Sequence, residues 1–545
     1  MTSTALLLLA TLGLPLAMLL ACLWQPLRDR MLPWLALAPV PGLAAAFLAE
    51  RDQLLMFGNA RLPLALELDR PAGLLLGVAA LLWMAGGAYA ATYQRDQPGR
   101  GRFAVCWLMT LTGCVGVFIA ADMPGFYALL ALLSVGTTGL VMQENTPRST
   151  RAGAIYIGMA LLAESLLLAG FVLIAASAPP GQGMLIRDAA ASIVTSPWRD
   201  AIFALLIGGF GIKAGLVPLH FWIPLAHGAA PVPASALLSG AVVKASVIGL
   251  IRFMPIESTP WAVGAAVTAI GLVGALYAVA IGITQSHPKT VLAYSSVSQM
   301  GVVIAILGMG MATGDGSARL VAAFYASNHV LSKGALFLAV GVAAATGSRR
   351  LWWLLVPAAI LSVGLGGLPL SGGALTKYAA KGLMGEGLAG VMATLSSIGT
   401  TLLMLHFLRR LKSFTSADRE ARAGFGLNGP WLLMALASLV VPWVLAARAP
   451  GYSLPDALAP AALWAALWPI GIGTALALLL ARYWDARPRI PEGDVVVMLG
   501  PLGRAGAWLG GLAERADTAL SHWALASVAV LAVALLFGAG LVIGR

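Results

Sequence analysis

Charge is what this sequence has least of. Only 10% of its 545 residues are Asp, Glu, Lys or Arg, against about a quarter in an ordinary soluble domain. So few charges cannot cover a water-facing surface of this size, which excludes a soluble enzyme and a disordered scaffold. Cysteine is nearly as scarce. Cys22, Cys106 and Cys114 form no CxxC and sit inside apolar stretches, so they read as small core hydrophobes and exclude a disulfide-stapled module, a zinc site and an iron–sulfur site. Also missing are a strand–GxGxxG–helix unit and a GxxxxGK[ST] loop; the glycines of GGFGIKAG lie in an apolar helix and carry no nucleotide signal. No cofactor is expected, and no chemistry of the chain's own.

What is abundant is apolar: 59% of the residues belong to the hydrophobic set. A helix needs roughly 20 apolar residues to cross the hydrocarbon, and the sequence predicts sixteen such spans in an all-α polytopic membrane protein. They include 4–24, 32–49, 201–222, 351–370, a broken span plus a full one in 371–408, and a last span at 521–543. The start, Met1–Ala10, lacks the positive region of a cleaved signal and reads as part of a retained first span. The formal charge of +12 suggests no nucleic-acid partner, because the bases lie in short loops without interleaved aromatics. With the N-terminus outside, twenty bases fall in loops on the inner side and nine on the outer, the asymmetry of a correctly phased topology. Both termini are then expected on the outer, periplasmic side of a bacterial-type cytoplasmic (inner) membrane.

Five bases fit neither set of loops: Lys213, Lys244, Lys333, Lys377 and Lys381 lie within or at the edge of predicted spans. Of the 22 acids only Glu164 falls in mid-span. An ionisable group in the bilayer is expensive unless it faces the bundle interior, water or a partner, so these residues form a candidate site. Lys381, near a helix end, reads instead as a side chain that snorkels to the headgroups. Burial disfavours the charged form of an amine, so lysines separated by hydrated gaps can pass a proton along. His329 stands four residues before Lys333 on the same helix face and can shuttle protons near neutral pH. Lys213 precedes a proline-rich stretch with Pro218, Pro224, Pro231 and Pro233, and Lys377 follows Pro369 and a glycine cluster. Paired interrupted spans point to inverted repeats around a central pathway. The expected organisation is an N-terminal helical region 1–102, a first repeat 103–252, a second repeat 261–408, and C-terminal helices 409–545 with a cytoplasmic linker 482–520. Each repeat would hold five helices, one of them broken.

The stretch GGFGIKAGLVPLHFWIPLAHGAAPVPASALLSGAVVKASVIGLIRF (Gly208–Phe253) resembles a known signature, as do HPKTVLAYSSVSQMG (His287–Gly301), NHVLSKGALFLAVG (Asn328–Gly341) and GLPLSGGALTK (Gly367–Lys377). They look like the antiporter-like membrane subunits shared by respiratory complex I, the Mrp cation/proton antiporters and membrane-bound hydrogenases. The resemblance covers roughly 103–410. It implies half-channels joined by a hydrophilic axis of Glu164, Lys213, Lys244, His329, Lys333 and Lys377. Lys213 would be the switching lysine, Lys244 the connector, His329 with Lys333 the bridge, and Lys377 the exit group. Pro218, His220, Pro224 and His227 would form the helix break, Ser235 and Ser239 a serine-rich turn, and His287 the entry loop of the tenth span.

The resemblance also implies function: proton translocation, with sodium as an alternative coupled ion, beside other membrane subunits in a lipid bilayer. Two readings compete with a redox-coupled complex. One is a module energising a non-redox partner such as an inorganic carbon uptake protein; the other is a scaffold that has lost transport. The sequence departs from the family in one important place. The fifth span usually carries a glutamate that pairs with the switching lysine; here Ala131 occupies that position. Either the carboxylate has moved to Glu164 on the sixth span or the switch is altered. The first reading is preferred, since an unpaired buried glutamate is otherwise an unexplained burden. A second departure is the linker, whose Pro488, Pro491 and Pro501 rule out one long lateral helix and leave a short amphipathic piece near 496–512.

Overall fold

The computed structural model describes residues 2–59, 62–178, 184–447, 453–481 and 490–493, together with single residues between 495 and 518. Residues Met1–Glu492 form one compact unit and Gly493–Arg545 a second. The predicted last span, 521–543, and the amphipathic piece at 496–512 lie on residues outside those described or only singly described.

The first unit is helical and polytopic. Eleven helices among the described residues are long and apolar enough to cross a membrane, and Trp352–Gly366 is a shorter apolar helix. Three elements are surrounded by protein: Val232–Phe253, Pro288–Thr313 and most of Ala318–Ala344. Ser3–Ala21, Phe425–Ala446 and Pro460–Ala481 stand at the periphery and expose leucine, valine and tryptophan, as lipid-facing helices must. Of the five lysines predicted within spans, Lys244 and Lys333 belong to these central elements, where protein groups can meet them; Lys213, Lys377 and Lys381 lie on Arg199–Ala214 and Gly372–Met384.

Two helix hairpins are packed backbone to backbone. Arg100–Ile119 crosses Met123–Val141 at Gly113 and Gly136: a Cβ on Gly113 would lie 2.5 Å from the Leu133 nitrogen, and one on Gly136 would lie 2.6 Å from the Thr110 nitrogen. Trp261–Gly282 and Pro288–Thr313 repeat the device. There Gly271 and Gly301 face each other, each placing a would-be Cβ 2.5 Å from the other's carbonyl oxygen. Small residues substitute for side-chain interdigitation where helices meet in a membrane.

Three differences from the sequence-based expectation have local causes. The span predicted at 32–49 is not one helix. A 3-10 turn at Leu32–Trp34 leads through turns to a nine-residue helix, Val40–Leu48, because Pro33, Pro39 and Pro41 remove the donors a continuous helix needs. The span at 201–222 is interrupted, with Arg199–Ala214 and Trp222–Ala229 on either side of residues 215–221. Finally, the loop before the third span folds into a hairpin of β1 (Leu55–Asn59) and β2 (Leu62–Leu66). β2 continues the sheet by bridging Leu66 to Ala120, and Asp122 bridges to Leu185. Three loops predicted on the outer side thus share one small extended lid. Arg252 locks it from below: its guanidinium donates to Asp69 Oδ2 at 2.6 Å and to the carbonyls of Phe118 at 2.8 Å and Ala120 at 2.7 Å.

Candidate functional site

The first broken helix ends where the sequence requires it to. Gly215 adopts a left-handed conformation, φ +82°, which glycine alone adopts freely; Leu216 N–H then bonds back to the Gly211 carbonyl at 2.8 Å. Lys213 sits in the last turn before this cap. The second break is built alike. Gly367, φ +111°, closes Trp352–Gly366, and Ser371 caps the next helix, Gly372–Met384. Gly-Leu-Val-Pro-Leu (Gly215–Leu219) and Gly-Leu-Pro-Leu (Gly367–Leu370) are thus counterparts, a short similarity between the halves that the lysine positions alone did not disclose.

Lys213 meets Glu164. Its Nζ lies 2.8 Å from Oε1 and donates to Ser134 Oγ at 2.7 Å. Ser134 Oγ donates in turn to the same carboxylate oxygen at 2.6 Å. All three are buried or nearly so: Glu164 is 6% exposed, Ser134 1%, and the Lys213 side chain 10%. The partner carboxylate therefore comes from the sixth span, Pro147–Ser177, while the fifth span, Met123–Val141, supplies only a hydroxyl. Ser134 lies one helical turn beyond Ala131 and was missed in the sequence. Its signal is a hydroxyl in the middle of an otherwise aliphatic run.

Beyond the pair, a cavity of about 20 Å³ is lined by Lys213, Tyr156, Trp222, Val242 and Ala245, room for a single water molecule. Val242 and Ala245 flank Lys244, the first residue of the helix Lys244–Phe253. Just before it, Leu238–Val242 form a π-helical turn, and such turns release backbone groups from the regular ladder. The Ser239 carbonyl accepts from Lys244 Nζ at 2.8 Å, and His329 Nδ1 lies 2.6 Å from the same nitrogen. Lys244 and His329 are completely buried. Lys333, one turn along from His329 and equally buried, donates to the Leu292 carbonyl at 2.9 Å.

Between Lys333 and Lys377 stand further buried polar groups that the charge pattern does not mark. Tyr325, on the Lys333 helix, donates to Gln299 Oε1 at 2.9 Å; Gln299 Nε2 donates to Thr400 Oγ1 at 3.0 Å. Ser397, one turn from Thr400, accepts from Lys377 Nζ at 2.9 Å, and Lys377 also donates to the freed Gly366 carbonyl at 2.6 Å. Mid-membrane Gln and Tyr in apolar helices were the available signal. Lys381 stays outside the series. Its side chain is 60% exposed, 3.3 Å from Glu386.

The remaining predicted residues are distributed less evenly. Pro218 and His220 lie in the break itself, and His220 packs edge-on against Tyr277 and Tyr294. Pro224 is in the first turn of Trp222–Ala229, where proline is tolerated, and His227 is near that helix's end, stacked on Phe337. Of the two histidines predicted at the break, His220 therefore lies within it and His227 in the helix that follows. Ser235 and Ser239 are helical rather than in a turn; Ser235 donates to the His227 carbonyl, and Ser239 Oγ is 2.7 Å from Ser296 Oγ. Pro369 lies in the second break, between Gly367 and Ser371.

His287 caps Pro288–Thr313 through Nδ1, which accepts from the Lys289 amide. Burial, with help from neighbouring Lys289, pushes its imidazole down to about 4. Lys289 itself, counted by sequence among the loop bases, is 8% exposed and donates to the Ala230 carbonyl at 2.7 Å. Nearby, Glu492 joins Arg148 and Thr290 at 2.6 and 2.8 Å.

A family model described as NADH:quinone oxidoreductase/Mrp antiporter, TM, matches residues 120–406. Hydrogenase-4 component B of Escherichia coli K12 is 31% identical over 292 residues, 51% of this chain and 43% of that protein. NADH-quinone oxidoreductase subunit N of Desulforudis audaxviator is 30% identical over 303 residues, 52% of this chain and 57% of that one. The chain thus spans about half the length of these curated relatives. In three dimensions it matches a chain in the structure of the Mrp complex from Dietzia sp. DQ12-45-1b with a TM-score of 0.79 at 19% identity, over 100% of this chain and 63% of that one.

Proposed function

Given that this chain belongs to the NADH:quinone oxidoreductase/Mrp antiporter transmembrane family, we propose that it is an ion-translocating subunit that carries protons along the buried axis Glu164–Lys213–Lys244–His329–Lys333–Lys377. The observation that carries this reading is the Glu164–Lys213 ion pair, 2.8 Å long and withdrawn from solvent. A buried pair holds its charges only while each faces the other. When Glu164 stays close, the Lys213 ammonium is retained. When it withdraws, the ammonium loses its counter-charge and passes its proton towards Lys244 through the one-water cavity. His329, in contact with Lys244 and on the face of Lys333, relays it onward. Tyr325, Gln299, Thr400 and Ser397 form the hydroxyl-and-amide segment that leads to Lys377.

In this reading 103–252 and 261–408 are two inverted repeats, each opening towards one membrane face at its broken helix. His220, His227, Ser235 and Ser239 line the approach from the first break, and His287 marks the entry on the side that carries most arginine. Proton or sodium exchange, partner membrane subunits, a bacterial cytoplasmic membrane and termini on its outer side all belong to the same proposal.

The test is proton flux in proteoliposomes holding the complex, with Lys213→Ala and Glu164→Gln. Each variant is expected to lower flux by about 100-fold, the scale on which a positioned proton donor or acceptor acts. Unchanged flux in both would discard the axis, whatever the fold.

A further inference from the structure

A cavity of about 1000 Å³ lies away from the axis, at one membrane face, where Ser3–Ala21 and Arg70–Tyr93 end and Arg100–Ile119 begins. Its charged lining is Arg28, Asp29, Arg95, Asp96, Arg100 and Arg102. Four guanidinium groups against two carboxylates leave it two positive charges in excess. Arg102 is committed to Gln143 and Asn145. Among the described residues Arg28, Arg95 and Arg100 make no ion pair, although Asp29 and Asp96 share the cavity. A basic loop alone would only set orientation; a concave site with three uncommitted guanidinium groups asks for an anion.

The setting says which anion. Immediately before Arg28 the chain exposes Leu23 (83%), Trp24 (64%) and Leu27 (40%), the apolar and aromatic side chains that settle among acyl chains at a bilayer interface. The cavity also reaches Val105, inside the first two turns of a membrane-spanning helix. Its floor is kept open by Gly101: a Cβ there would lie 2.9 Å from Asp29 Oδ1 and 3.2 Å from Arg28 Cγ. We propose that this cavity binds the phosphate headgroup of an anionic phospholipid, with Arg28, Arg95 and Arg100 on the phosphate and Leu23, Trp24 and Leu27 against the acyl chains. Guanidinium forks match phosphate oxygens two at a time, and basic pockets between membrane helices are suited to such headgroups.

The experiment uses the full-length protein, delipidated in detergent and titrated separately with phosphatidylglycerol, cardiolipin and phosphatidylcholine, with retained lipid counted by native mass spectrometry. The wild-type chain is expected to retain the anionic lipids and not phosphatidylcholine. Arg28→Ala/Arg95→Ala/Arg100→Ala is expected to lose on the order of 100-fold in retention. Arg30→Ala, on the same short helix but outside the cavity, is expected to behave as wild type, as is the thermal midpoint of every variant. Equal retention by the triple variant, or of phosphatidylcholine by the wild type, would overturn the assignment. So would displacement of the lipid by millimolar inorganic phosphate, which would make the site one for free anions.

Discussion

Ser134 stands one helical turn beyond Ala131, the position where the resemblance leads one to expect an acid, and it supplies a hydroxyl without charge. It holds one oxygen of Glu164 and accepts from Lys213, fixing the geometry of a pair whose two charged members stand on other helices. The carboxylate belongs to whichever helix can bring it to Lys213, which leads to a compensation test. Glu164→Gln is expected to reduce proton flux, and Ala131→Glu in that background to restore a substantial part of it, because a glutamate one turn before Ser134 faces the same amine. Flux in proteoliposomes with the single and double variants decides this; no recovery would mean that only the sixth span can serve.

His287 supplies a pH dependence of a different kind. Its imidazole titrates near 4 in the folded protein against an ordinary 6.5, so folding favours the neutral ring. Stability is complete above about pH 6.5 and declines as the pH falls towards 4, where the folded ring also takes a proton. His287→Asn is expected to flatten the thermal midpoint over that interval while leaving its value at pH 8 nearly unchanged, as read by unfolding in detergent. The predicted lysines were legible because subtraction isolates a charge in an apolar run. Lys289 was not, since it sits one residue inside a helix start and looks like a loop base; only the fold reveals that the Ala230 carbonyl covers it.

Among elements, the helices were legible from hydropathy and the breaks from their prolines and glycines. The hairpin β1–β2 was not, because five-residue strands of mixed pattern in a loop carry little periodic signal. It is held by what neighbouring segments offer it: Asp122 Oδ2 accepts from the Ala65 amide at 2.7 Å and the Ala121 amide donates to the Ala65 carbonyl at 2.8 Å, while Arg252, from its helix, ties Asp69 to the carbonyls of Phe118 and Ala120. Arg252→Ala is expected to cost about 3 kcal/mol, since it leaves Asp69 without its partner and two helix-end carbonyls without a donor; chemical unfolding in mild detergent measures this. The glycine contacts predict another loss. Gly271→Val is expected to destabilise by about 1–3 kcal/mol through backbone collision, whereas Gly158→Ala, with open space around it, is expected to be neutral in the same assay.

For the whole molecule, the ion pairs respect the predicted sides. Arg148–Glu492 and Arg349–Glu420 join loops predicted inside; Arg252–Asp69 and Arg319–Glu257 join regions predicted outside. The grouping of these loops on shared faces was therefore legible from the order of the spans, although the contacts of Gln299 and Tyr325 were not, because neutral side chains leave no trace in a charge count. For the proposed orientation, Ala417→Cys is expected to react with a membrane-impermeant maleimide only from the cytoplasmic side, and Ser317→Cys only from the outer side. The reverse pattern would invert the orientation and leave the fold intact.

The glycine-welded hairpins have a mechanical consequence. Two helices whose main chains touch cannot slide or rotate against each other without a steric clash, so Arg100–Val141 and Trp261–Thr313 each behave as a stiff plank. Flexure accompanying the proposed ion passage must then concentrate at the joints the planks do not brace: residues 215–221, the π-helical turn before Lys244, and residues 367–371.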